Sequence, residues 1–305
     1  MKSMQLTIYD NPENFLQRTE AGFQTAEAAT GLIYGLARTL AIQPDYYGSP
    51  PFLATVGKGG DWLLAALRTP PYDMIVTINP LLSARDQAAH TEQALSVLVQ
   101  GIAERQTDLS GVSGESALSG SFAAQWAART GRQAIVERAM RVFKLVQVVQ
   151  PDTPPGHFRP ARGQEADRLT EWAYAFQAEA LGENGPEHRV EVRKRMARFI
   201  AAEDIYVWET PRGEIVSCAA ASRGTPNGRT VSLVYTPPEQ RGRGYASAVV
   251  ASLSRHLLGS GYAFCTLFTD LANPTSNHIY QAIGYRAVCD FTVYRFLADA
   301  QESTT

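Results

Sequence analysis

The sequence predicts an α/β protein in two similar halves, each a mixed, mostly antiparallel central sheet flanked by helices. Three observations lead there. Strand-like runs and helical patterns alternate along a chain of 305 residues, which is room for about two domains. The stretch QPDTPPGH, Gln150 to His157, excludes both helix and central strand near the middle of the chain. After it come antiparallel strands and then β-α-β-α-β, an order with a fainter copy before it.

In the first half, helical patterns cover Pro12 to Thr19 and Ala26 to Leu40. Strand candidates follow at Phe52 to Gly57, Asp61 to Leu67 and Asp73 to Ile78. A helix is expected from Ala84 to Arg105, then the strand-like GVSG, a helix from Ala117 to Thr130 and a strand over Met140 to Val149. The second half opens with a short strand at His157 to Pro160 and helices over Gln164 to Leu181 and Glu187 to Ala201. Strands Ile205 to Glu209 and Glu214 to Ala221 are joined by the turn Pro211-Arg212-Gly213. Then come the strand Val231 to Thr236, a helix from Gly242 to Gly259, a strand Ala263 to Thr269, a helix Pro274 to Ile283 stopped by Gly284, and strands within Ala287 to Phe296. The expected domains are 1–149, a linker 150–156, a second domain 157–299 and a tail 300–305.

Composition narrows the functions open to such a chain. Apolar residues make up 45% and charged residues 19%, as in soluble globular proteins. A net charge of -2 gives no global attraction to nucleic acid or to an anionic membrane, so any anion site must be local. Cys218, Cys265 and Cys289 form no C-x-x-C pair, and the histidines at 90, 157, 188, 256 and 278 are scattered. Neither set resembles metal ligands, and no metal is expected. The start, MKSMQLTIYDNPENF, lacks the apolar core of a secretory signal, and no apolar run is long enough to span a bilayer. A cytoplasmic protein is the expectation.

The stretch TPPEQRGRGYASAVVASL, Thr236 to Leu253, is where a local anion site is to be sought. Gly242 and Gly244 allow close approach of the backbone to a ligand. The following helix start offers unpaired N–H groups and the positive end of its dipole, a setting for phosphate. Arg241 and Arg243 add charge-assisted donors. A solvated turn with two arginines is the bland alternative. A dinucleotide fold is the weaker case: Asp270 stands where a ribose-binding acid would, yet Pro237 and Pro238 separate strand from glycine where the fingerprint needs a tight turn. No G-K-[ST] follows, which excludes a P-loop.

The run RGRGYA, Arg241 to Ala246, after a strand and opening a helix, resembles the Q/R-x-x-G-x-G/A pattern of the GNAT acyltransferase superfamily. The later block TDLANPTSNHIYQAIGYRAV resembles its closing motif, through Asn273, Ser276, Ile279, Tyr280, Gly284 and Tyr285. The resemblance covers His157 to Phe296, with the first half a degenerate copy whose TINPLLSARDQ stands where RGRGYA would be. It implies acetyl-CoA as co-substrate, with pyrophosphate on the N–H groups of Arg241, Gly242, Arg243, Gly244, Tyr245 and Ala246. The pantetheine arm would pair with the backbone of Val234 and Thr236 as an added strand does.

Acyl transfer from a thioester to an amine needs loss of an ammonium proton, a donor to the oxyanion and a proton for the thiolate. The resemblance places Tyr280 near the sulfur as general acid; packing as a core aromatic is the alternative. It places the oxyanion donor near the Val234 N–H. Asn273 is equally an N-cap followed by Pro274 or a contact of the coenzyme arm, and Ser276 a weaker version of the same. No carboxylate lies on the strand VSLVYT; Glu239 is the nearest base, with Glu179, Glu183 and Asp270 as others. The reading is an N-acetyltransferase acting on a primary amine, of a small molecule rather than a protein. A non-catalytic acyl-CoA sensor or scaffold is the alternative. A nucleic-acid binder using Arg223, Arg241 and Arg243 is a third, weakly supported, and no membrane partner is expected. Shaping the acceptor pocket, homodimer formation and shielding of a sheet edge are the roles left open for the first half.

Overall fold

Each half builds the same order of elements from the same local signals. The computed structural model describes residues 3–105, 107–182 and 185–298, so Glu183 and the 300–305 tail lie outside the described residues. The first run is β1 (Gln5–Ile8), α1 (Pro12–Thr25), α2 (Glu27–Ile42), β2 (Phe52–Lys58), β3 (Asp61–Arg68), β4 (Met74–Ile78), α3 (Ala84–Glu104), β5 (Gly111–Glu115), α4 (Ser116–Thr130) and β6 (Gln133–Leu145). The second is β7 (His157–Pro160), α5 (Ala166–Leu181), α6 (Pro186–Ala201), β8 (Ile205–Glu209), β9 (Ile215–Gly224), β10 (Gly228–Tyr235), α7 (Tyr245–Gly259), β11 (Phe264–Asp270), α8 (Pro274–Ile283) and β12 (Arg286–Leu297). The two runs match element for element. Helix starts follow side-chain chemistry: Asn11, Ser83 and Asn273 each accept the N–H three residues on, and Pro12 and Pro274 occupy first helical positions. Gly131, Gly182 and Gly284 end α4, α5 and α8 in the left-handed conformation.

Compact units are drawn differently from the sequence halves. One unit runs to Val142 and takes in the chain again from Val288; the other is Phe143–Ala287. The division falls at neither 149 nor 157. Pairing explains it: β12 lies antiparallel to β5, with Phe291 opposite Glu115 and Arg295 opposite Gly111. Phe143 and Leu145, the end of β6, pack in the core of the second unit. The segment 150–156, expected as a linker, falls within that unit. Just before it the Val149 N–H donates to the Ile283 carbonyl at 2.7 Å.

In the first unit the strand order is β1-β2-β3-β4-β5-β12. The chain's opening strand, β1, was not anticipated; it pairs antiparallel with β2. β6 also begins earlier than the expected Met140, because Gln133 to Ala139 carries polar residues without the alternation of a half-buried strand. Helices α1 and α2 pack Phe15, Phe23, Tyr34 and Leu40 on one face of this sheet. The other face buries Leu95, Leu98, Ile102, Phe122 and Trp126 from α3 and α4.

In the second unit the order is β7-β8-β9-β10-β11. Alternation along β9 sends Cys218 and Ala220 to the α5–α6 side, and Ala219 and Ala221 to the α7 side. Most of the candidate site residues lie on β10, on the loop that follows it, at the start of α7 and on α8.

Candidate functional site

β10 and β11 run parallel but stay paired only over Gly228–Thr230 and Phe264–Thr266. β10 continues to Tyr235 alongside β9 alone. Between Ser232, opposite Ala220, and Tyr235, opposite Cys218, its register shifts. Leu233 and Val234 therefore face a single β9 residue, a bulge. Leu233 takes φ 50, a left-handed value that is costly for a branched side chain and held here by its burial among Leu169, Met196 and Tyr235. The register of β10 is thus irregular at Val234, beyond the point where its parallel neighbour stops pairing.

The chain then turns through Pro238–Gln240 into the RGRGYA loop. Gly242 (φ 74) and Gly244 (φ 80) both require the left-handed region, and α7 starts at Tyr245 rather than at Gly242. Among the described residues the N–H groups of Gly242, Arg243, Gly244, Tyr245 and Ala246 make no hydrogen bond. Five successive free donors at the positive end of a fifteen-residue helix form an anion cradle. The matching helix start in the first unit is capped: the Ser83 side chain accepts from the Asp86 N–H at 3.1 Å, and the Asp86 carboxylate stands in that first turn. That carboxylate disfavours an anion there.

The two arginines do not both wait at the loop. Arg243 donates from Nη1 to Gln240 Oε1 at 3.2 Å. Arg241 turns back to the sheet, where its Nε donates to the Thr236 carbonyl at 2.9 Å and its Nη2 to Glu179 Oε2 at 2.7 Å. The Tyr235 hydroxyl donates to Glu179 Oε1 at 3.3 Å, and the guanidinium lies 5.7 Å from the Tyr235 ring centre. Burial first, and the Glu179 charge next, raise the Tyr235 phenol above its ordinary range. The Thr236 hydroxyl is paired with Ser217 at 2.9 Å.

α8 carries the remaining candidates. Asn273 accepts from the Ser276 N–H at 3.0 Å and so caps the helix. Asp270 accepts from the Ala272 N–H at 2.7 Å in a local turn. Tyr280 is buried in the core, its ring 6.0 Å edge-on to Tyr285, and burial pushes its phenol up to about 12. Tyr285 bonds Ser254 at 2.8 Å, whereas the Tyr280 hydroxyl makes no hydrogen bond among the described residues. Glu239 is exposed in the turn before the loop. Sequence reasoning did not single out Tyr235, or the pairing of Glu179 with Arg241 across 62 residues. The one signal was that Tyr235 alternates with Val234 and Thr236 and so faces the other side of β10.

Among the described residues no three His, Cys, Asp or Glu side chains are grouped to hold a metal, and no helix is long and apolar enough to cross a membrane. Residues 212–296 match the family model described as FR47-like protein, a span running from the β8–β9 turn almost to the end of β12. No curated protein matches the chain. In fold it is similar to an acetyltransferase from the GNAT family of Colwellia psychrerythraea, at 9% identity and a TM-score of 0.60, covering 96% of this chain and 98% of that one. A GCN5-related N-acetyltransferase from Sphaerobacter thermophilus is similar at 15% identity and TM-score 0.57, over 95% of each chain. A tandem GNAT protein from the clavulanic acid biosynthesis pathway matches at 12% identity and TM-score 0.54, over 97% of this chain and 98% of that one. With the element order repeated in both halves, the chain has the tandem GNAT fold, and its second half carries the FR47-like segment.

Proposed function

We propose that the second unit is an acetyl-CoA-dependent N-acetyltransferase whose acceptor is the primary amine of a small molecule. The observation that carries this is the cradle of five unpaired N–H groups, from Gly242 to Ala246, at the start of α7. It lies one turn beyond the bulged end of β10 and fits a diphosphate. Bound there, acetyl-CoA would supply the activated acetyl thioester.

This chain's own residues divide the remaining work. The loop N–H groups and Arg243 hold the phosphates. The Val234 N–H, at the bulge, would donate to a developing oxyanion, a contribution of about 10²–10³ in rate. Tyr280, with its proton retained up to about pH 12, donates a hydrogen bond to the departing sulfur. Full transfer of that proton to a thiolate of ordinary pKa, about 8.5, is uphill, so Tyr280 acts mainly as a donor that lowers the cost of the negative sulfur. Asn273 is committed through its oxygen to the helix cap, which leaves its amide nitrogen for the coenzyme arm. Glu239 remains a base only for an acceptor that reaches the outer face of the loop.

The test is release of free coenzyme A thiol from acetyl-CoA with a panel of small primary amines and a lysine-rich peptide. Amine-dependent release with small amines preferred is expected. Release with the peptide alone would move the acceptor class to proteins. Acetyl-CoA binding without release from any amine would leave an acyl-CoA-binding protein.

A further inference from the structure

We propose that Glu179 and the Tyr235 ring form a cation site for the acceptor's alkylammonium group, which Arg241 fills in this structure and which coenzyme phosphates would clear. This inference rests on the acetyl-CoA reading above. Three contacts define the site. The Glu179 carboxylate accepts from Arg241 on one oxygen, at 2.7 Å, and from the Tyr235 hydroxyl on the other, at 3.3 Å. The guanidinium carbon stands 5.7 Å from the Tyr235 ring centre. A carboxylate beside an aromatic ring is the chemistry that binds an organic cation, and Arg241 is a cation held by both. Trp172 of α5, its ring 6.1 Å from that of Tyr235, extends the aromatic wall.

Location ties the site to the reaction. Tyr235 is next to Val234 at the bulge, and Arg241 is the first residue of the phosphate loop, so one side chain reaches either place. The Glu179–Arg241 pair is close to half exposed on both sides, at 46% and 48%. Exposed pairs contribute little, whereas a diphosphate would offer two charges to the guanidinium of the residue that opens the loop. Arg241 moving to the phosphates would release two acceptors together: the Glu179 carboxylate and the Thr236 carbonyl. The second is on the backbone expected to pair with the pantetheine arm. Coenzyme and amine would then bind with positive coupling, the amine site opening as the coenzyme arrives.

The coupling has a sign that a purely structural role for Glu179 would not produce. Calorimetric titration with coenzyme A should give about two- to five-fold tighter binding to Glu179→Gln than to wild type, because the competing carboxylate is gone. In an Arg241→Ala background the same substitution should change affinity less than about 1.5-fold, by double-mutant-cycle logic. With coenzyme A saturating, n-butylammonium and phenethylammonium should bind wild type by saturation-transfer NMR and bind Glu179→Gln at least about tenfold more weakly. Circular dichroism melting confirms that each variant is folded. Unchanged or weaker coenzyme binding in Glu179→Gln overturns the proposal, as does failure of both ammonium ions to bind the wild-type complex. Absence of coenzyme binding to wild type sinks the acetyl-CoA reading itself, a separate and earlier failure.

Discussion

Tyr280 and Tyr285 come from one motif, five residues apart, yet their surroundings differ. Tyr285 is fully buried and bonded to Ser254, a packing residue. Tyr280 has a hydroxyl with no partner among the described residues and a phenol raised from 10.0 to about 12 by burial. Replacing it, Tyr280→Phe, should leave acetyl-CoA affinity within about two-fold and lower kcat by about 10²-fold, read by thiol release and calorimetry. The raised pKa also sets a sign for stability. Between pH 10 and 12 the unfolded chain gives up this proton while the folded protein keeps it, so unfolding is favoured as pH rises. The contribution is present below pH 10 and lost by pH 12, at about 2–3 kcal/mol for this one group. Urea unfolding at pH 9 and at pH 11.5 should show wild type losing more than Tyr280→Phe, since the other buried groups are common to both. At this scale the sequence was legible where local chemistry fixes a helix end, as for the Asn273 cap. It was not legible for Glu179, whose partner is set by how α5 lies on β10 and not by any local pattern.

Elements place these residues, and their ends matter more than their middles. Gly284 closes α8 at φ 109, and a Cβ built there would stand 2.9 Å from the Gln147 carbonyl oxygen and 3.3 Å from Val149 Cγ2. Both the left-handed backbone and the approach of the 147–149 segment require glycine. Gly284→Ala should cost about 2 kcal/mol or more in urea unfolding. It should also reduce turnover by loosening the helix that carries Tyr280. The RGRGYA loop was legible for the same reason: left-handed turns announce themselves as glycine, and a helix start needs donors whatever packs around it. The bulge at Leu233 was not, because strain in a leucine is imposed by the core that buries it and leaves no mark on residue type. The 150–156 segment is legible only in part. Its prolines correctly excluded helix and central strand, but prolines say nothing about whether an irregular segment packs; here Pro154 Cδ and the Asp152 carbonyl lie beside Gly244.

The chain's two units each take a strand that sequence order would give to the other half, or share it. Sequence periodicity finds strands but not their partners, so the pairing of residue 291 with residue 115 could not be read beforehand. One consequence is testable. Phe296 lies near the end of the second half, yet it packs with Trp126, ring centres 6.1 Å apart, in the core of the first unit. Phe296→Ala should cost about 3–5 kcal/mol and speed hydrogen exchange in β5 and α4, while β8 to β10 keep their protection. Faster exchange confined to β8–β10 would contradict the assignment. The proposed function, in contrast, rests on one unit: the second offers five open donors where the first offers a capped helix with an aspartate. The measurement that tests this most directly is calorimetric titration of the whole protein with acetyl-CoA, with ATP and NADH as controls and Gly244→Trp as the variant. The account predicts one site per chain, micromolar binding of acetyl-CoA alone, and loss of that binding in Gly244→Trp. Undiminished binding in the variant, or no binding of acetyl-CoA by wild type, would contradict it.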